Sequence, residues 1–166
     1  MSTNQSCAEP LAKDLALQID QILANYQHDS NRLVDILLDV QEVVPKHYLP
    51  ENVVTYISKE LNTPLSKIYS VITFYAALST EPRADYVIQL CDSLVCQVAK
   101  NEALKDAISD LLGIKAGQAT PDGKYWLEYT SCFGACDVAP AIRINGKVHG
   151  NLTSVERVKE VLAQYK

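Results

Sequence analysis

The chain has 166 residues, 48% of them apolar and 21% charged, a balance that can build a core and lies far from that of a disordered polypeptide. Its formal net charge of −5 and the lack of any Lys/Arg cluster exclude a nucleic-acid-binding surface, which needs clustered cations to displace counterions from phosphates. The longest apolar runs, such as Val71 to Leu78, fall well short of the roughly 20 residues that cross a bilayer, so no direct membrane insertion is expected.

From Leu11 to Leu78 the apolar residues recur at helical spacing. Leu15, Ile19, Ile22, Leu23 and Tyr26 predict a first helix with one apolar stripe. After a polar stretch, Ser30 or Asn31 can cap a second helix carrying Leu33, Leu37, Val40 and Val44, which Pro45 ends because its ring cannot continue the ladder. A third helix is expected from Pro50, burying Val53, Val54, Ile57 and Leu61. The fourth has Thr63 as cap and Pro64 at its first position, with Ile68, Val71, Ile72 and Tyr75 behind. Short links make such helices antiparallel neighbours, so residues 11–80 read as a helical bundle preceded by a flexible tail of residues 1–10. His28 and His47 have no ligand-type neighbour at metal spacing and read as solvated surface residues.

The polar, proline-containing stretch around Thr80 to Arg83 reads as a boundary, and residues 84–166 follow a different pattern. Asp85 to Leu90 alternates as a strand, and Val98 to Leu112 returns to helical spacing, with Leu104, Ile108, Leu111 and Leu112 inward and Gly113 as stop. Asp122-Gly123 marks a turn before a second strand at Tyr125 to Tyr129. Ala141 to Ile144 and Lys147 to His149 form a hairpin about Asn145-Gly146, a pair that accepts the positive φ angles of a type I′ turn. Thr153 with Glu156 gives a capping box for a last helix reaching Tyr165. This order predicts a four-stranded sheet with flanking helices and a parallel first pair, a small thioredoxin-like domain behind the helical bundle, so that the chain is α+β or α/β in class. Ala139-Pro140 precedes the third strand, and its isomer is open at this point.

Four of the five cysteines lie in this second part, as C-x4-C at Cys91 and Cys96, 35 intervening residues, then C-x3-C at Cys132 and Cys136. Each follows a predicted strand. Loops at one edge of a parallel pair lie side by side, so two distant pairs can converge there. A thioredoxin-type disulfide needs C-x-x-C at a helix start, a spacing neither pair has. Structural zinc takes four cysteines and is an open alternative, though its loops are usually tighter. A [2Fe–2S] centre suits the wider C-x4-C loop, since two bridged irons need two thiolates each. Such a centre is negatively charged and calls for N–H donors, which Gly134, Ser93 and the helix after Cys96 can supply. Asp92 and Asp137 would lower its potential if turned inward, and otherwise face water. Cys7 stands apart as a free thiol in the N-terminal tail.

At these residues the chain resembles the 24-kDa-type [2Fe–2S] subunits of NADH:quinone oxidoreductase (respiratory complex I), thioredoxin-like ferredoxins also found in NAD-linked hydrogenases and formate dehydrogenases. The resemblance rests on Cys91-Asp-Ser-Leu-Val-Cys96, Leu112 through the Thr-Pro-Asp-Gly123 turn, Cys132-Phe-Gly-Ala-Cys136 with Ala139-Pro140, and Val71-Ile-Thr-Phe-Tyr75. It extends from about residue 15 to the end; Gln97-Val98-Ala99-Lys100 departs from the glycine or aromatic that many members carry there. The resemblance implies one [2Fe–2S] cluster on Cys91, Cys96, Cys132 and Cys136, in a non-catalytic electron-transfer subunit of an NADH dehydrogenase-type complex. Single electrons would pass to and from the flavin of an FMN- and NADH-binding partner, with further iron–sulfur subunits nearby. FMN and NAD are expected on that partner, and no Gly-x-Gly-x-x-Gly run occurs here. The N-terminus also lacks the basic, apolar pattern of a secretory signal, so a cytoplasmic place, or one on the cytoplasmic face of a membrane in a peripheral arm, is expected.

Overall fold

A computed structural model describes residues 11–165; residues 1–10, with Cys7 and the expected tail, lie outside the described residues. The chain divides into two compact units, the first ending at Pro82 and the second opening at Arg83.

The first unit is helical: α1 (Lys13–Asn25), α2 (Leu33–Val43), α3 (Glu51–Glu60) and α4 (Leu65–Phe74). Their stripes close on one core that includes Ile19, Leu23, Ile36, Leu37, Ile57 and Ile68. Burying each such side chain contributes about 1.5–3 kcal/mol against leaving it in water. The caps differ from expectation. Asp29, not Ser30 or Asn31, accepts from the Asn31 N–H at 2.9 Å and opens a 3₁₀ turn over Ser30–Arg32 ahead of α2. Thr63 does not cap α4, because Pro64 itself takes the extended residue before the helix; the Thr63 hydroxyl donates instead to the Leu61 carbonyl at 3.1 Å. Tyr75 leaves the helical path as the C-terminal flank of α4 and is exposed. His28 is exposed, whereas His47 is half-buried with Nδ1 3.7 Å from Glu42, so only one of the two histidines is fully solvated. The Gln41 side chain is buried and works both ways, donating to Ala77 at 2.9 Å and accepting from the Ser79 N–H at 2.7 Å, which fastens the segment after α4 to α2.

The second unit is a sheet with helices: β1 (Tyr86–Cys91), α5 (Leu94–Val98), α6 (Asn101–Leu112), β2 (Gln118–Ala119), β3 (Tyr125–Thr130), β4 (Ile142–Ile144), β5 (Lys147–His149) and α7 (Val155–Leu162). The strands run in the order β2-β3-β1-β4-β5, with β1 and β3 parallel and the other pairs antiparallel. The chain therefore has the expected α+β architecture, with five strands rather than four. The extra strand is two residues long, too short to show alternation in sequence, and it pairs Gln118 with Leu127 and Ala119 with Trp126. Asn145 and Gly146 both take positive φ, 43° and 78°, as the hairpin requires. The core of this unit joins Ile88 and Leu90 of β1 and Leu127 of β3 to Leu104, Ile108 and Val158 of the helices.

Three further differences follow from backbone geometry. The helix expected from Val98 opens only at Asn101, because Lys100 adopts a left-handed φ of 60° between α6 and the short α5 that ends at Val98. Leu111, in the last turn of α6, is exposed, while Ile114, just past the left-handed Gly113, is buried. The last helix is capped by Ser154, whose hydroxyl accepts from the Arg157 N–H at 3.4 Å, one residue beyond Thr153. Among the described residues no helix is long and apolar enough to cross a membrane.

Candidate metal centre

The parallel register aligns Cys91 of β1 with Thr130 of β3, so both strands end at the same edge and their following loops leave side by side. Cys91 is the last residue of β1. The chain then turns through Asp92 and Ser93 into α5, whose third residue is Cys96, within the helix rather than ahead of it as its spacing had suggested. Two residues past β3 comes Cys132, followed by the turn that ends in the 3₁₀ segment Cys136–Val138.

Cys91 and Cys96 are buried, each 3% exposed, while Cys132 and Cys136 are exposed. The Cys132 and Cys136 sulfurs lie 3.5 Å apart, and the Gly134 N–H points at the Cys132 sulfur from 3.4 Å. Gly134 holds φ +83°, which lets its N–H turn inward. The two pairs meet. Burial pushes the Cys91 thiol up, but donation from the Ser93 hydroxyl and N–H, and from the Cys96 and Cys132 thiols, outweighs this and leaves it lowered. Cys96 is pushed up to about 11, first by burial and then by its bond to Cys91 and the charge of all three other sulfurs. Cys136 is raised by its hydrogen bond to Cys132, then by burial and by the charges of Cys132, Cys91 and Asp137.

Four mutually repelling sulfurs at one edge cannot all ionise without a compensating cation, and metal ligation supplies that. Among the described residues no three His, Cys, Asp or Glu side chains close on a single ion. Two thiol pairs suit a binuclear core, in which each iron would take two thiolates, with the Ser93 hydroxyl and N–H and the Gly134 N–H as donors to sulfur.

Residues matched by the thioredoxin-like [2Fe–2S] ferredoxin family run from 19 to 166, across both units and all four of these cysteines. The chain belongs to that family. It carries one [2Fe–2S] cluster, and structural zinc is set aside. It is 30% identical to the NADP-reducing hydrogenase subunit HndA of Solidesulfovibrio fructosivorans, over 93% of this chain and 89% of that one. It is 32% identical to a subunit of the NADH-quinone oxidoreductase of Escherichia coli strain K12, over 89% of this chain and 87% of that one. Among solved structures, an NAD⁺-reducing [NiFe]-hydrogenase in its air-oxidized state superposes with a TM-score of 0.67 at 25% identity, over 84% of this chain. The chain spans 24% of the length of that hydrogenase chain.

Several neighbours of this ferredoxin's site are not marked by any motif. Asn101, the first residue of α6, is 4% exposed and donates from Nδ2 to the Cys91 carbonyl at 2.8 Å. Lys105, one turn later, lies 2.7 Å from Asp92 and 2.8 Å from Glu102, with its ammonium over the Tyr129 ring. Asp92 is held below the ordinary carboxylate range by Lys105, so it faces an ammonium rather than water alone; Asp137 is exposed. On the other sheet face a ladder runs from Glu128 through Gln89 to Arg143, at 2.7 and 2.6 Å, and Arg143 then covers the Phe133 ring between the second cysteine pair. Only register could have revealed these contacts. The Ala139–Pro140 bond, which follows the second pair, is cis.

Proposed function

We propose that Cys91, Cys96, Cys132 and Cys136 are the ligands of the cluster, and that the chain is the one-electron relay beside an NADH-oxidising flavoprotein in a complex I-like assembly or an NAD-linked hydrogenase or formate dehydrogenase. The reading is carried by one observation: two thiol pairs, remote along the chain, share one sheet edge with their sulfurs in mutual hydrogen-bond and charge contact. A [2Fe–2S] core supplies a one-electron couple with no acid, base or nucleophile. What the chain contributes is ligation, burial of one pair, donors toward sulfur and a face for docking.

That face surrounds the exposed edge. On α5, Leu94 is 73% exposed and Val98 77%, and Tyr129 at the end of β3 is 48% exposed. Apolar side chains left in water beside a redox edge suit a partner protein that covers them. Both relatives are subunits of larger oxidoreductases, which supports partner subunits here, namely the FMN- and NADH-binding flavoprotein and further iron–sulfur chains. The corresponding place is the cytoplasm or the cytoplasmic face of a membrane, in a peripheral arm.

The test is anaerobic purification with iron and sulfide analysis and a visible spectrum. Two irons and two sulfides per chain, a brown colour bleached by dithionite, and loss of both in Cys91→Ser, Cys96→Ser, Cys132→Ser and Cys136→Ser are expected. A serine variant that keeps the full spectrum removes that residue from the ligand set. Mass spectrometry of the chains that co-purify identifies the partner; recovery with no flavoprotein refutes the assembly.

A further inference from the structure

We propose that Lys105 is a positioning residue that raises the reduction potential of the cluster through Asp92, a reading that rests on the four cysteines as ligands. Lys105 is 6% exposed, an uncommon place for an ammonium, and its partners account for it. Its Nζ lies 2.7 Å from Asp92 Oδ1, 2.8 Å from Glu102 Oε1 and 5.0 Å from the Tyr129 ring centroid. Asp92 is the residue after Cys91, and Tyr129 stands three residues ahead of Cys132. One helical turn before Lys105, on the same face of α6, Asn101 holds the Cys91 carbonyl. The first two turns of α6 are thus tied by one cation to the chain on both sides of the site.

A role confined to stability explains this poorly. Asp92 and Glu102 are exposed, and ion pairs open to water on one side contribute little to stability, so stability alone does not call for a buried lysine at this point. The sign of the charge does. The couple adds one electron to the diiron core and breaks no bond, so reduction raises the local negative charge. Asp92, Glu102 and Lys105 together carry −1; without Lys105 they carry −2, and without Asp92 they carry zero. In a partly buried site a change of one unit charge shifts a neighbouring equilibrium by roughly tenfold, which for a one-electron couple is about 59 mV.

The test is a redox titration of the full chain holding its cluster, followed by visible absorption and by electron paramagnetic resonance. Lys105→Met lowers the midpoint by about tenfold in the reduction equilibrium, Asp92→Asn raises it by a similar factor, the double variant returns it toward wild type, and Lys105→Arg preserves it. Opposite shifts from two partners of one ion pair are not produced by loosened packing. Where Lys105→Met fails to fold, Asp92→Asn decides, because it leaves Lys105 paired with Glu102. Midpoints within twofold of wild type, or shifts of one sign in both variants, overturn the proposal while the cluster spectrum is intact. A wild-type chain without a cluster spectrum instead refutes the ligand assignment.

Discussion

Asn101 offers the sharpest test of how the second unit holds the end of β1 at Cys91. Its Nδ2 donates to the Cys91 carbonyl at 2.8 Å, while its own Oδ1 is buried with no partner among the described residues. Replacing it by alanine strands a buried carbonyl, a loss of about 1–3 kcal/mol, partly offset because the orphan Oδ1 disappears too. Alanine also gains a few tenths of a kcal/mol in helix propensity, on the order of 0.5. The net expectation for Asn101→Ala is a destabilisation of about 1–2 kcal/mol. Asn101→Asp should be worse, since an ionised carboxylate cannot donate and would face the carbonyl oxygen. Helix-dipole reasoning alone predicts the reverse, because an acid in the first turn of α6 is favourable by about 0.3–1 kcal/mol. The order of the two variants therefore separates the mechanisms. The assay is urea unfolding followed by the fluorescence of Trp126, the chain's single tryptophan, which lies in β3 and so reports the second unit. A falling midpoint at constant slope measures the stability change. If Asn101→Asp proved as stable as Asn101→Ala, or if Asn101→Ala left the midpoint unmoved, the clamp on Cys91 would not be a stabilising element.

Two further outcomes follow from side chains near the sheet. His149 donates to or accepts from the Tyr165 hydroxyl at 2.6 Å, and its imidazole is held below the ordinary histidine value, first by burial and then by the charge of Lys147. The unfolded chain then takes up the proton first, so this contribution is whole above about pH 6.5 and is lost as pH falls from there to the folded value. Trp126-monitored unfolding between pH 7.5 and 5 should be steeper in wild type than in His149→Gln, and equal slopes would remove His149 from the account. Gly134, between the second cysteine pair, and Gly150, against Val138 just past it, should differ in kind. A Cβ on Gly150 would stand 2.4 Å from the Val138 side chain and 2.8 Å from its carbonyl, behind the turn that carries Cys136. Gly150→Ala should cost about 1–3 kcal/mol by overpacking and speed cluster loss, read as the decay of visible absorbance. A Cβ on Gly134 meets nothing within 4 Å, so Gly134→Ala should cost only the backbone strain of its φ +83°, about 1–2 kcal/mol. Slower cluster loss in Gly150→Ala than in Gly134→Ala would refute the steric argument.

What could be read in the sequence, and what could not, divides along a physical line. Periodicity is a local property, and it located α1 to α4 and the long strands because each must keep one face toward a core, as Ile19 and Leu23 or Ile88 and Leu90 do. Asn145-Gly146 announced its hairpin for a similar reason, since few residue pairs accept two positive φ angles. Local signals failed where the decisive geometry was a single residue. Lys100 in the left-handed region separates α6 from a short α5 that holds Cys96, and no rule of composition marks a lysine for that role. Asp29 and Ser154 each displaced a predicted cap by one or two positions, because several Ser, Thr, Asn and Asp residues compete for each helix start.

The site divides in the same way. Ligation leaves a trace in sequence, since a thiolate has few substitutes and its loop length is fixed by the reach to a metal, so the two cysteine pairs stood out at once. Register then explains why they meet: Cys91 and Thr130 are partners in a parallel pair, and that one relation carries both loops to one edge. The polar groups beside those cysteines leave no comparable mark. Asn101 and Lys105 look like ordinary polar positions on an amphipathic helix, and come beside the cysteine loops only because α6 packs its first turns under the ends of β1 and β3. A family member that kept all four cysteines but replaced Lys105 by a neutral residue would retain this fold and its cluster, while its potential would fall for want of one buried charge.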